Sequence, residues 1–237
     1  QLTYARNKIL SNDQPPPAMP YQSLLGYEAG YALGYKFLGF FTDEADIVKS
    51  PRQSFSSNII PGDVKYSDIN NDGIIDARDR VPIQVRNIPR YVGGFSFGGG
   101  YKGFDVSLLF NGALGGTANI RLYQPGSAFQ LQRWTPENKE HARVPVAHLS
   151  SNNTDILSDL NVQKTDYLKL RNMEIGYEIP QRILNLTKLE YARFFINGQN
   201  LALWDRLWYR DRDPESPGGD VVYPVQRVIN IGLNVRF

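Results

Sequence analysis

Apolar and polar residues alternate along much of this chain, most plainly in RVINIGLNVRF, residues 227–237. Ile229, Ile231, Leu233, Val235 and Phe237 take every second position, with Asn230, Gly232, Asn234 and Arg236 between them. A period of two sends successive side chains to opposite faces, so this segment predicts a strand with one apolar face. FDVSLLFNGA sets Phe104, Val106, Leu108 and Phe110 against Asp105, Ser107, Leu109 and Asn111. Just upstream, GFSFGGGYKGF alternates Phe95, Phe97, Gly99 and Tyr101 with Ser96, Gly98 and Gly100, and Lys102-Gly103 join the two segments as a tight hairpin turn. RNMEIGYEIP sets Met173, Ile175, Tyr177 and Ile179 against Asn172, Glu174, Gly176 and Glu178. ARFFINGQN sets Phe194 and Ile196 against Arg193, Phe195, Asn197 and Gln199. GYALGYKFLGFF is strand-like but less regular, and LTYAR gives an incomplete first strand.

These segments predict about seven strands in an all-β, antiparallel arrangement. A soluble sandwich and a barrel wall in lipid share such alternation. Four features favour the barrel. The polar faces carry small and amide side chains suited to a wetted lumen, and Tyr and Phe gather near strand ends like interfacial girdles. Connections alternate between short turns and long polar stretches, expected at 42–90, 114–165 and 204–223, as in barrels with short turns on one side and long loops on the other. The terminal strand also has about the 9–11 residues that a tilted membrane strand needs. An odd, partial set of strands would leave unpaired backbone edges in lipid, so the chain is expected to be part of something larger.

Composition agrees with strands and turns. Aromatics make up 12% of the 237 residues and there are 21 glycines. Cysteine is absent, so disulfides and thiolate metal sites are excluded. The net charge of +2 comes from dispersed basic residues, which argues against nucleic acid as a partner. No apolar run has the length of a membrane-spanning helix, and QLTYARNKILSNDQPPP has no signal-peptide pattern.

One stretch stands apart from the strands. DINNDGIIDARD, residues 68–79, holds a cluster of carboxylates with calcium-loop spacing. Asp68, Asn70, Asp72, the Ile74 carbonyl, Asp76 and Asp79 occupy positions 1, 3, 5, 7, 9 and 12, and Gly73 takes position 6, where the sharp turn falls. Ca²⁺ takes six to eight oxygens, and such a loop can converge them. Asp79 departs from the bidentate Glu usual at position 12. Pro61-Gly62 and Pro82 flank the loop, so no EF-hand helices are expected and a structural ion is favoured over a sensing one. A plain Asn/Asp/Gly turn is the alternative. The loop lies within 62–82, inside the first long connection, where an ion would pin a segment expected to have little core of its own.

No catalytic constellation is legible. His141 and His148 are seven apart, not at the three- or four-residue spacing of a helical metal pair. GALGG at 112–116 lacks the nucleotide-binding glycine patterns, and no serine nucleophile motif occurs. RDRDPE at 210–215 mixes both charge signs and reads as a solvated loop. QPPPAMP at 14–20 reads as a stiff connector.

Taken in order, GYKFLGFFTDEADI, PGDVKYSDINNDGIIDARDR, PRYVGGFSFGGGYKGFDVSLLFNGALGG, RWTPEN, DYLKLRNMEIGYEIP, FFINGQNLALW, DPE and YPVQRVINIGLNVRF resemble the C-terminal quarter or so of SusC/RagA-type TonB-dependent outer-membrane transporters of Bacteroidetes. The resemblance runs along nearly the whole of 1–237. It implies a barrel of about 22 strands with a plugged lumen, this chain supplying part of the wall. It also implies an outer-membrane location, import of oligosaccharides or oligopeptides, and no enzymatic step. The implied partners are the rest of the barrel and plug, TonB through an upstream segment, outer-membrane lipid, and a SusD-like surface lipoprotein acting as a lid. By the same resemblance the ion at residues 68–79 would sit in an extracellular loop near that lid, and Phe237 would end the strand recognised by the barrel-assembly machinery. The rival reading is a secreted, calcium-stabilised β-sandwich for glycan binding or adhesion.

Overall fold

A computed structural model describes residues 1–13, 15–86, 88–120, 128–147, 153, 156–187, 189–208, 212–216 and 225–237. Its strands are β1 (Leu2–Tyr4), β2 (Tyr31–Gly34), β3 (Phe37–Phe40), β4 (Arg52–Gln53), β5 (Val64–Tyr66), β6 (Ile74–Ile75), β7 (Val81–Gln84), β8 (Tyr91–Tyr101), β9 (Phe104–Leu114), β10 (Thr117–Asn119), β11 (Val162–Lys164), β12 (Tyr167–Glu178), β13 (Tyr191–Asp205) and β14 (Val228–Arg236). Two short helices, α1 (Glu44–Lys49) and α2 (Gln181–Thr187), accompany them.

The expected alternating segments form the wall. A six-stranded antiparallel sheet runs in the order β1-β8-β9-β12-β13-β14 and stays open at β1 and β14. The β8–β9 hairpin turns at Lys102-Gly103, both with positive φ (51° and 86°), as a two-residue hairpin of this hand requires. The Lys102-Gly103 turn, α2 and the β14 end share one edge of the sheet. The long connections 5–90, 115–166 and 206–227 share the other.

Two expectations are corrected here. The wall has six strands among the described residues rather than about seven, because GYALGYKFLGFF does not join it. That segment forms β2 and β3, which pair with β7 and β5 in small sheets of the first connection. The first connection therefore runs from 5 to 90 rather than from 42. Nor do the long connections lack a core. Tyr35, Val64, Tyr66 and Ile75 form one buried cluster, and Ala118, Ile120, Val144 and Leu207 another that links the second and third connections. Buried polar groups inside the first cluster are paired: the Gln53 amide donates to the Val64 carbonyl at 3.1 Å and to Asn153 Oδ1 at 2.9 Å. Trp134 is buried against Gly62.

Among the described residues no helix is long and apolar enough to cross a membrane, a criterion that does not bear on strands.

Candidate functional site

Register shows what the wall presents on each side. Phe97, Leu108, Met173, Gly198 and Ile229 lie in one cross-strand row, and Gly99, Val106, Ile175, Ile196 and Ile231 in the next. Tyr101, Phe104, Tyr177, Phe194 and Leu233 follow. One face is thus apolar across five strands, and no second sheet covers it among the described residues. Phe97 is 63% exposed and Ile231 69%. A patch that size on a protein in water would be an interaction surface or a liability. Backbone pairing within the sheet and an apolar outside are what lipid demands of a spanning strand.

A β-bulge keeps that face consistent. The register shifts between Leu170 and Asn172, so Arg171 is the additional residue. Leu168 and Leu170 therefore share a face with Met173 and Ile175 despite the change of parity, and Lys169 shares the opposite face with Asn172 and Glu174.

The opposite face is polar and internally bonded. Arg193 donates to Asp105 through Nε (2.9 Å) and Nη2, and to Glu174 Oε1 at 2.8 Å. The Asn230 amide donates to Asn197 Oδ1 at 3.3 Å. Gly176 lies under the Arg193 guanidinium and Gly232 under the Phe195 ring; a side chain at either glycine would collide with what crosses it.

Nearer the loops, Lys169 is almost fully buried, and its ammonium lies 2.9 Å from Asp213 and 2.7 Å from Glu215. Arg171 Nη2 and the Tyr167 hydroxyl also reach Glu215, at 2.7 and 2.8 Å. The Lys169 ammonium and its neighbours outweigh burial and hold the Glu215 carboxyl below its usual range. The expectation of a solvated RDRDPE loop is corrected accordingly: Asp213 and Glu215 are docked against the wall. Residues 210 and 211 lie outside the described residues.

The 68–79 loop is wound tightly by its own Asp and Asn side chains, as a turn of this composition is. Asp68 Oδ2 accepts from the Gly73 N–H at 2.8 Å, Asn70 Oδ1 from Asp72 N–H at 3.0 Å, and Asp72 Oδ1 from Ile74 N–H at 3.0 Å. Asn71 and Gly73 take positive φ at the sharp turn. Ile74 and Ile75 form β6, and Ile75 plugs the loop into the buried cluster. Asp68 Oδ1 is buried without a hydrogen-bond partner, which suits an ion ligand. Asp79 behaves differently. It is fully buried, and its carboxylate accepts the N–H groups of Ile69 (2.8 Å), Asn70 (3.3 Å) and Asp76 (2.8 Å). Asp76 bonds to Arg78, whose Nη2 sits 2.8 Å from both Asp72 and Asp76 and draws the Asp76 carboxyl below its usual range. A guanidinium thus already neutralises part of the set. Among the described residues no group of three or more His, Cys, Asp or Glu side chains is arranged as a ready metal site. His141 is exposed, and His148 lies outside the described residues.

Sequence reasoning missed the Lys169–Asp213–Glu215 knot and a second one around Glu28, which accepts from Arg6 at 3.0 Å, from Arg90 at 2.8 Å, and from buried Arg86. Residues so far apart in sequence carry no local signal of pairing.

Comparison with known proteins places this geometry. No family model matches the chain. TonB-dependent receptor P26 of Formosa agariphila is 28% identical over 90% of the chain, and TonB-dependent receptor P3 of the same organism is 27% identical over 90%. The chain spans about a quarter of the length of these relatives, 23% and 22%. Among solved structures, the RagAB peptide importer in its open-open state superposes on 94% of the chain with a TM-score of 0.59 at 18% identity, and the chain covers 25% of it. The RagAB peptide transporter gives 0.59 at 20% identity over 90% of the chain. At these identities the solved structures speak to fold.

Proposed function

We propose, from the premise that this chain is a segment of a TonB-dependent receptor of the bacterial outer membrane, that it forms wall and external loops of a transporter importing oligosaccharides or oligopeptides beneath a SusD-like lipoprotein lid. The observation that carries this reading is the sheet with one face apolar across five strands and the other polar and bonded, matching part of a RagA-type fold. The apolar face meets lipid. The polar face, with Arg193, Glu174, Asn197 and Asn230, lines the passage. The rest of the barrel closes the two open edges, and the plug and TonB contact belong to other parts of the whole protein. Such a protein binds and moves its cargo without making or breaking a bond in it.

The loop at 68–79 is proposed to bind Ca²⁺ through Asp68, Asn70, Asp72, the Ile74 carbonyl and Asp76, with Asp79 bracing the loop through its three N–H bonds. The unpartnered Asp68 oxygen supports this, and Arg78 would swing away from Asp72 and Asp76 as the ion enters. The ion would supply fixed positive charge that holds the external loop in shape.

The test is extraction from native membranes in mild detergent followed by mass spectrometry. Recovery with a complete barrel and a surface lipoprotein supports the reading. Recovery without detergent, as a soluble protein, refutes it.

A further inference from the structure

On the apolar face the wall has a notch. Gly93 and Gly112 face each other across β8 and β9, and Gly112 is in register with Leu168 of β12. Elsewhere in these strands the same face carries Phe95, Phe97, Leu108 and Phe110. Two facing glycines drop the floor to bare backbone, leaving a slot of about 580 Å³ walled by Leu2, Tyr91, Phe95, Leu114 and Leu168. The Leu2 and Leu168 side chains stand at the two sides of the glycine pair. All these walls lie within the paired strands β1 to β12.

The slot lies at the edge that carries the long connections. Tyr4 packs against Tyr91 there with its ring tilted, 4.8 Å between ring centroids, and Trp204, in register with Leu168, is 54% exposed. Aromatics at that level mark the boundary between hydrocarbon and headgroup. Immediately beyond lies the Glu28 knot. The Arg90 N–H donates to the Leu114 carbonyl at 2.9 Å, and Ala5 N–H donates to the Arg90 carbonyl at 2.9 Å. Arg6, Arg86 and Arg90 share the single carboxylate of Glu28, three positive charges on one negative. Arg6 keeps 68% of its side chain exposed.

We propose that this slot and cluster form a lipid-binding site, taking one acyl chain of a phosphate-bearing glycolipid of the outer leaflet between Leu2 and Leu168 and its phosphate on Arg6 and Arg90. Continuity with the lipid-facing band specifies an apolar chain. The excess guanidinium charge, one residue beyond the slot, specifies an anionic headgroup, and guanidinium forks suit phosphate. The long connections face outward in barrels of this kind, which selects the outer leaflet. The site rests on the transporter reading.

The test uses the complete transporter extracted in mild detergent, with bound lipid counted by native mass spectrometry. After delipidation, bisphosphorylated lipid A or phosphatidylethanolamine is added back. Leu168→Trp fills the slot with a residue suited to the interface, and Arg6→Ala removes the exposed cation. Ile231→Trp makes the same kind of change on the same face away from the slot. The wild type and Ile231→Trp are expected to retain one lipid A, with occupancy about tenfold lower in Leu168→Trp and Arg6→Ala. Equal retention in all four proteins, equal uptake of phosphatidylethanolamine, or displacement of lipid by a second protein copy overturns the proposal. Failure to recover the protein from outer membranes would instead count against the transporter reading.

Discussion

Arg193 on β13 reaches over Gly176 of β12 to bond Asp105 on β9, so one side chain ties three strands of the polar face. The span needs a bare Cα beneath it. Gly176→Val should displace the guanidinium and leave Asp105 and Glu174 without their donor. Both acids are part-exposed, so the expected loss is modest, about 1 kcal/mol. Thermal unfolding of the refolded barrel checks this, and Gly176→Val and Arg193→Met should shift it to the same extent.

The apolar face gives a sharper contrast. An arginine on the lipid side of a barrel costs about 2–4 kcal/mol at mid-bilayer, whereas lumen positions tolerate charge. Ile231→Arg is therefore expected to lower barrel stability by that amount and Asn230→Arg to leave it nearly unchanged, measured by denaturant unfolding in lipid vesicles.

Lys169 should be more costly to lose than its single charge suggests. Lys169→Met removes the buried counter-ion of Asp213 and leaves Glu215 with only Arg171 and Tyr167, a change of about 3–5 kcal/mol for a buried pair broken on one side. Residues 212–216 should detach. Hydrogen exchange there should rise in Lys169→Met and return towards wild type when Asp213→Asn and Glu215→Gln are added.

The Glu28 knot sets a pH limit on the first connection. The hydrogen bond from Arg90 holds the Glu28 carboxyl below its ordinary value of 4.5, with Arg86 and Arg6 adding to the effect. A depressed folded pKa means the stabilisation is complete above the unfolded value and lost as pH falls through the folded one. Exchange protection at residues 5–7 and 28–31 should hold above pH 4.5 and fall below it. Glu28→Gln should remove that pH dependence.

Calcium binding predicts a thermal shift. Ca²⁺ should raise the melting temperature of the complete protein and protect the 68–79 loop from protease, chelator should reverse both, and Asp68→Ala should abolish the response. A response that survives in Asp68→Ala would place any ion elsewhere.

The wall strands were legible because each is long and strictly alternating, and their faces are set by parity alone. Parity could not tell that β2 and β3 pair inside a loop, since a short strand alternates in the same way wherever its partner lies. The bulge at Arg171 is also hidden from pattern: it is why Leu168 and Met173, of opposite parity, share a face. The tight winding of the 68–79 loop was legible from its Asn, Asp and Gly spacing, but not the use of Asp79, whose carboxylate is spent on three backbone N–H groups. Sequence carries ligand types and spacing. Which lone pairs the backbone has already claimed depends on the fold.

The most direct test of the two-faced wall is spin-label accessibility in the complete protein reconstituted in bilayers. Labels at Val106, Ile175, Ile196 and Ile231 are expected to be reached by oxygen dissolved in lipid and shielded from a water-soluble nickel reagent. Labels at Ser107, Glu174, Asn197 and Asn230 should show the reverse. If both sets meet water equally, or the apolar set is shielded from both probes, the sheet is not a membrane wall.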